Sequence, residues 1–411
     1  LIYNNKTSII IDDNQNIIKQ EITGCNDETS TVITNHYQYD NFGNITQFVD
    51  GDGITYDYVR DSRGNLKNYK VNNVNLISFE YDESGLITKI TELIDEIAGN
   101  YKITEYLYDE NQNKIQEKTE NQQIDFEYDN ENRLVKSYFN GKLETEIFYT
   151  DFTTKISQKN GLETLYEYNN RFDLIKKIET DTTLNYSHTT NYKYDSRHLL
   201  VEENIEGEKT QYKYSAFGSE EGVLKTSENS NQGFYTLTQK KGNQQTKSEG
   251  VFEVNKLREK YPKLLEKPFY LWTDEELKHF EENATSKKSS FQEYNANENI
   301  FIVKDSLQRE ILYKYNFQNQ LQSLSNLGSG QEKQTISYTY TKAGRLESVK
   351  NQLGGQNFYK YTDFGTPAEM KNSYGTEKFF YTKSGLIKKR IDGEGFETIY
   401  TYNNYGLLES V

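Results

Sequence analysis

Residues 79–90 read FEYDESGLITKI, and near-copies of this stretch recur along the chain. Phe79 and Tyr81 flank Glu80, so both rings point to one face of a β-strand. Asp82 is a favoured first residue of a turn, and Gly85 closes it where a left-handed residue follows a type I turn. Leu86 and Ile87 begin a return strand that runs through Ile90. A dozen residues therefore spell one β-hairpin. Copies begin at Tyr37 (YQYDNFGNITQF), Tyr56, Tyr106 (YLYDENQNKI), Phe126 (FEYDNENRLV), Tyr166, Tyr192 (YKYDSRHLLV) and Tyr212. After a gap they resume at Tyr313, Tyr338 (YTYTKAGRLESV), Tyr359 (YKYTDFGTPAEM), Phe380 and Tyr400. Most spacings are roughly 19 to 27 residues, a period expected of repeat architectures.

A second turn lies between successive copies: Asp50-Gly51-Asp52-Gly53, Asn140-Gly141, Asn160-Gly161, Glu206-Gly207 and Asp392-Gly393-Glu394-Gly395. Asn-Gly and Asp-Gly suit turns whose central residues need positive φ. Strand, turn, strand, turn makes a continuous antiparallel meander. The recurring motif residues are Tyr39, Asp40, Gly43, Tyr81, Asp82, Gly85, Tyr108, Asp109, Tyr128, Asp129, Tyr194, Asp195, Tyr340, Gly344, Tyr361, Gly365, Tyr381, Gly385, Tyr402 and Gly406. Their repetition in copy after copy points to structural Asx-type turns and not to catalysis. Gln112, Asn132, Phe172 and His198 stand where the turn glycine is missing, and turns of another type or length are expected there.

The chain has 411 residues, of which 35 are Tyr. Its mean hydropathy of −0.93 would suit disorder, but disordered chains are poor in aromatics. A sheet with two wet faces accounts for both, with tyrosine burying a ring and keeping its hydroxyl near water. Tyrosines at equivalent places, such as Tyr39, Tyr81, Tyr108, Tyr128 and Tyr168, are expected to form ladders. The net charge of −15 and the lack of a basic stripe argue against nucleic acid. No apolar run is long enough for a membrane span, and no signal peptide is visible at Leu1. Both ends fall within repeats without a polar cap, so a segment of a longer protein is expected.

The repeat is expected over 1–218 and 301–411, with an insertion of two or three helices at 219–300. Val254, Leu257, Tyr261, Leu264 and Leu265 have helical spacing. Thr273 and Glu276 form a capping box for a second helix, and Phe269, Leu271, Trp272 and Phe280 are expected to pack it on the sheet. Trp272 reads as an apolar staple before the helix cap, with ligand contact as the alternative. His36, His188, His198 and His279 lack metal-ligand spacing, and Cys25 lacks a nucleophile motif. Asp50 and Asp52 resemble the start of a calcium loop, but the closing acids are missing and a hairpin turn is expected. The chain is expected to be no enzyme, with no catalytic, metal or cofactor-binding residues.

The pattern Y-x-Y-D-x-x-G-x-[LI], with D-G-x-G before the next copy, resembles the YD-repeat family, also called RHS repeats. The family includes bacterial polymorphic toxins, insecticidal toxin-complex components, wall-associated proteins and teneurins. The resemblance implies an all-β strip of antiparallel hairpins spiralling into a shell or barrel wall. In bacterial members that shell encloses a toxic domain. The D-P-x-G segment where such members cleave themselves is absent from these residues; Pro262, Pro268 and Pro367 are the only prolines and none follows Asp. The implied function is a secreted or cell-surface shell segment that encapsulates a toxin or other cargo polypeptide. Its partners would be that cargo, the rest of the shell or delivery-system proteins. The alternative is an adhesion or carbohydrate-binding protein that engages surface glycans.

Overall fold

A computed structural model describes residues 6–26, 29–307, 309–316, 318–327 and 334–411. The chain is all-β: its described residues form a 33-stranded antiparallel sheet, a two-stranded sheet at 401–410 and a short helical segment. Consecutive strands pair with each other, as a meander requires.

The founding hairpin pairs Val74–Tyr81 with Ile87–Asp95. Glu80 faces Lys89 but Tyr81 faces Ile87, so one extra residue sits on the return side at the turn. This is a type I turn followed by a bulge whose residue is left-handed. Gly85 has φ +88° and Gly344 φ +85°. Gln112, Asn132, Phe172 and His198 adopt φ of +67°, +61°, +62° and +66° at the same place. The missing glycine therefore does not change the turn. The reason is that its hydrogen bonds over-determine it. In the Asn169 turn, Phe172 N–H donates to the Asn169 carbonyl while the Asn169 side chain accepts from Arg171 and Asp173 N–H.

The two faces of the strip carry different side chains. Tyr37, Phe48 and Tyr56 stack at 5.1 and 5.5 Å, and Tyr58 meets Tyr69 at 5.5 Å. Residues between the rings point the other way and form cross-strand ion pairs, among them Glu80–Lys89, Glu167–Lys176 and Lys360–Glu369. The ring contacts join a Tyr strand to its adjoining return strand. Equivalent tyrosines of successive copies are two strands, or about 9.6 Å, apart, too far to stack directly.

The chain divides into two compact units. One comprises 1–124, 313–326 and 331–411; the other comprises 125–312 and 327–330. In the second unit, strands Glu220–Ser227, Gln232–Lys241 and Gln244–Glu253 occupy the first part of 219–300. Helix α1 (Val254–Lys260), one 3-10 turn (Phe269–Leu271) and helix α2 (Asp274–Glu282) follow. Strand Ser286–Tyr294 then pairs directly with Gln244–Glu253. The helical segment thus replaces a single return turn.

It covers one face with Leu224, Tyr235, Leu237, Phe252, Val254, Leu257, Leu264, Phe269, Trp272, Leu277 and Phe280, all buried. Leu271, expected here, is 50% exposed: it sits in the 3-10 turn beside Trp272, whose larger ring takes the inward place. Gly233 lies under the Phe252 ring, where any Cβ would overlap it. Cys25 lies in strand Ile17–Asn26, with its side chain outside the described residues.

Candidate functional site

In the motif turns that open with aspartate, its carboxylate organises the backbone. Asp40 Oδ1 accepts from Phe42 and Asn44 N–H at 2.9 Å each, and Asp109 accepts from Asn111 and Asn113 N–H at 2.9 and 2.8 Å. The Asn44 side chain is the main force holding the Asp40 carboxyl below its usual range, and Asn113 does the same for Asp109. Asp82, Asp129 and Asp195 accept turn amides in the same way. Gly43, Gly365, Gly385 and Gly406 are all left-handed.

The second tyrosine of the motif has a role that sequence reading missed. Tyr39, Tyr81, Tyr108, Tyr340, Tyr361 and Tyr402 donate their hydroxyls to the carbonyls of Ile17, Leu66, Ile87, Leu321, Leu346 and Ile387 at 2.6–3.0 Å. Each acceptor begins the preceding return strand, so every bond stitches one hairpin to its predecessor. Burial raises the pKa of these phenols, as it does for Tyr194 and Tyr381. Tyr128 ends strand Gln123–Tyr128 in the same motif position.

Trp272 is 1% exposed and its indole N–H donates to the Lys267 carbonyl at 3.1 Å. Its ring meets Phe269 and Phe280 edge to face at 5.1 and 5.3 Å. No face is left for a ligand, which corrects the ligand-contact alternative. Both bonds of the Thr273–Glu276 capping box form. The Lys267 ammonium, and then the Thr273 amide, hold the Glu276 carboxyl low.

In the first unit, turns from the two ends of the chain meet. A meander has two edges: one carries the motif turns and the other the return turns. Return turns of the N-terminal row lie on motif turns of the C-terminal row, hairpin for hairpin. In the first pairing, Asp52 accepts from Thr341 Oγ1 at 2.7 Å and Ala343 N–H at 3.0 Å. Arg345 bonds Asp52 at 2.5 Å and Asp50 at 2.9 Å. Gly51 has no room for a side chain, because a Cβ would stand 2.7 Å from the Lys342 carbonyl oxygen. In the second, Asn72 Nδ2 donates to the Asp363 carbonyl at 2.5 Å.

In the third, Lys383 N–H donates to Glu96 at 3.0 Å, Ser384 Oγ to the Ile94 carbonyl at 2.5 Å, and Lys388 pairs with Asp95 at 3.1 Å. In the fourth, Tyr405 donates to Glu120 at 3.4 Å. Partners are separated by 285 to 295 residues in sequence. A cavity of about 300 Å³ opens between the rows, lined by Tyr69, Leu93, Lys102, Leu386 and Tyr405 among others.

The Arg345 side chain is 19% exposed, Asp50 9% and Asp52 22%. Burial alone would raise the Asp52 carboxyl, but Thr341, the Ala343 amide and Arg345 together hold it below its usual value. Burial opposes the Arg345 charge too, and the hydrogen bonds that its guanidinium donates to Asp50 and Asp52 outweigh it. The Asp50-Gly-Asp52-Gly segment is therefore a hairpin turn, as expected, that also grips a distant arginine. Among the described residues no group of three or more His, Cys, Asp or Glu is placed to hold a metal. No helix among them is long and apolar enough to cross a membrane.

No protein-family profile matches the chain, and no curated protein matches it. Solved structures do. A TcdB2-TccC3-TEV structure aligns with 98% of this chain and 21% of its own at 13% identity, with a TM-score of 0.46. A Photorhabdus luminescens Tc holotoxin pore aligns over 95% of this chain and 24% of its own at 12% identity and a TM-score of 0.35. A porin-like protein from Bacteroides uniformis covers 69% of this chain at 12% identity, with a TM-score of 0.16. The chain spans about a fifth of the length of the first of these. At these scores the likeness decides neither fold nor function.

Proposed function

We propose that this chain is a wall segment of a secreted or cell-surface YD-repeat shell that encloses a toxin or other cargo polypeptide. The observation that carries the reading is the seam in the first unit. A strip whose return turns bind its own motif turns almost 300 residues later is suited to wind beside itself. Strand twist accumulates in one direction across many hairpins, which favours coiling. The repeat motif supplies the link to shells, through the resemblance of Y-x-Y-D-x-x-G to YD repeats. On this reading the chain contributes containment and no catalytic step. The adhesion alternative keeps the tyrosine-rich sheet as a binding surface but not Trp272, which is buried. Cryo-microscopy of the full-length protein tests the proposal. The expected result is a curved wall of this strip around additional polypeptide density. A wall with an empty interior, or solid lobes in its place, overturns it.

A further inference from the structure

Three departures from the repeat converge between two consecutive motif turns of the second unit. In the turns at 12–16, 40–44, 61–65 and 109–113 an Asp opens, an Asn closes, and the closing Asn side chain donates to the opening carboxylate. In the turn at 169–173 the two are exchanged. Asn169 opens, Asp173 closes, and the Asn169 side chain donates to Asp173 Oδ2 at 3.0 Å. The exchange keeps the turn's own bond and brings the carboxylate within reach of the next motif turn, at 195–199. There His198 takes the place of the glycine, with φ +66°, and its Nδ1 lies 2.5 Å from Asp173 Oδ1. Arg171, third in the first turn, reaches the same ring: its Nη2 lies 2.8 Å from His198 Nε2 and 3.1 Å from the Ser196 carbonyl oxygen.

A guanidinium only donates, so Nε2 accepts from Arg171 and the ring proton sits on Nδ1, donated to Asp173. With all these bonds made the imidazole is neutral. A proton added to Nε2 would point at the N–H of a permanent cation. We propose that His198 is a proton-operated latch between consecutive hairpins: neutral, it links Arg171 to Asp173; protonated, it keeps Asp173 and releases Arg171. The latch is built into the strip itself and holds whether or not the strip encloses cargo.

The geometry sets the direction of the change. An imidazolium has two donors and no acceptor, so it loses the bond from Arg171 and makes a charge-assisted one to Asp173. The His198 side chain is 52% exposed and Asp173 only 8%, so water reaches the ring while the carboxylate stays behind it. The bond from His198, and then that from Asn169, holds the Asp173 carboxyl below its usual range, so it remains the anionic partner in both states. Among the other groups nearby, Asp195 and Arg197 of the same turn pair with each other at 2.8 Å, and burial raises the Tyr194 phenol. The following turn, at 215–219, carries no titratable side chain. Histidine changes charge between about pH 5 and 8, a range in which the tyrosine stitches do not titrate.

Nuclear magnetic resonance of the whole chain, labelled with nitrogen-15 in histidine and arginine, tests this at about pH 8 and about pH 5. His198→Asn and Arg171→Met assign the two signals, and Asn tolerates the left-handed backbone at 198. At the higher pH His198 is expected to be the neutral form with its proton on Nδ1, and the Arg171 Nε–H to be ordered. At the lower pH both ring nitrogens are expected to be protonated, and the Arg171 order parameter to fall below roughly 0.6, the mobile range. Arg345, held by Asp50 and Asp52, is the control and should stay ordered at both. In His198→Asn the order of Arg171 should no longer depend on pH. A neutral His198 with its proton on Nε2 overturns the proposal. So does an Arg171 equally ordered at both pH values, or a change in its order that survives His198→Asn.

Discussion

The helical segment and the hairpin strip solve the problem of stability in opposite ways. Of the 17 buried hydrophobic side chains among the described residues, 11 belong to the one cluster under the helices. That cluster is an ordinary dry core, with Phe280 at its centre touching Tyr235, Phe252 and Trp272 edge to face at 4.9–5.3 Å. Across the strip most side chains are only half-buried, and the ordering comes from repeated polar bonds: turn carboxylates, tyrosine hydroxyls, cross-strand ion pairs and the seam. The difference teaches that a strip need not bury much apolar area per residue if each hairpin is bonded to the next. Each stitch is small and the number of copies makes it large.

Substitutions separate the two regions by size and reach. Phe280→Ala removes the centre of the dry core and should cost about 3–5 kcal/mol locally. Hydrogen exchange should show the loss at 220–294 and little change at 37–118. A uniform loss over both would erase the contrast. Arg345→Met leaves Asp50 and Asp52 facing each other without their cation. Exposure of the site moderates the cost, so about 2–3 kcal/mol is expected, between the values for surface and buried pairs. Faster exchange should appear in both 50–60 and 338–350, although these lie far apart in sequence; loss on one side only would argue that the rows do not cooperate.

Tyr361→Phe keeps the ring and deletes only the bond to the Leu346 carbonyl, made at 2.6 Å. About 1 kcal/mol should be lost from the two hairpins it joins, seen by exchange of their amides. No change would mean that the ring alone matters. Phe172→Gly should raise local stability by up to about 1 kcal/mol, since φ +62° strains any β-carbon. Its partial contact with Phe152 at 6.2 Å offsets part of that gain. Destabilisation in a melting or exchange experiment would show that the ring contact outweighs the backbone strain.

Much of the strip was legible because its signals are local. Asp82 and Gly85 dictate a turn three residues apart, and Thr273 and Glu276 dictate a helix start. The turns at Phe172 and His198 were misjudged because side-chain preference was weighed alone, while the hydrogen bonds around it hold the backbone. The tyrosine stitch did leave a trace: Phe79 and Phe126 show that the first ring tolerates phenylalanine, whereas Tyr81 and Tyr128 keep a hydroxyl at the second. The seam was the least legible, because its partners are nearly 300 residues apart and no local pattern records the pairing. Its single clue was Asp52, an acid that the turn around Asp50 does not need, since Asp50 itself accepts the Asp52 and Ile54 amides.

The seam is the claim on which the strip account depends, and a double-mutant cycle between Asp52 and Arg345 tests it most directly. Stability would be measured for the parent chain, Asp52→Asn, Arg345→Met and the double variant. The account predicts a coupling of about 1–3 kcal/mol, with the double variant losing clearly less than the sum of the two single losses. Additivity within about 0.3 kcal/mol would contradict it, because residues 293 apart in sequence couple only if the two rows are joined there.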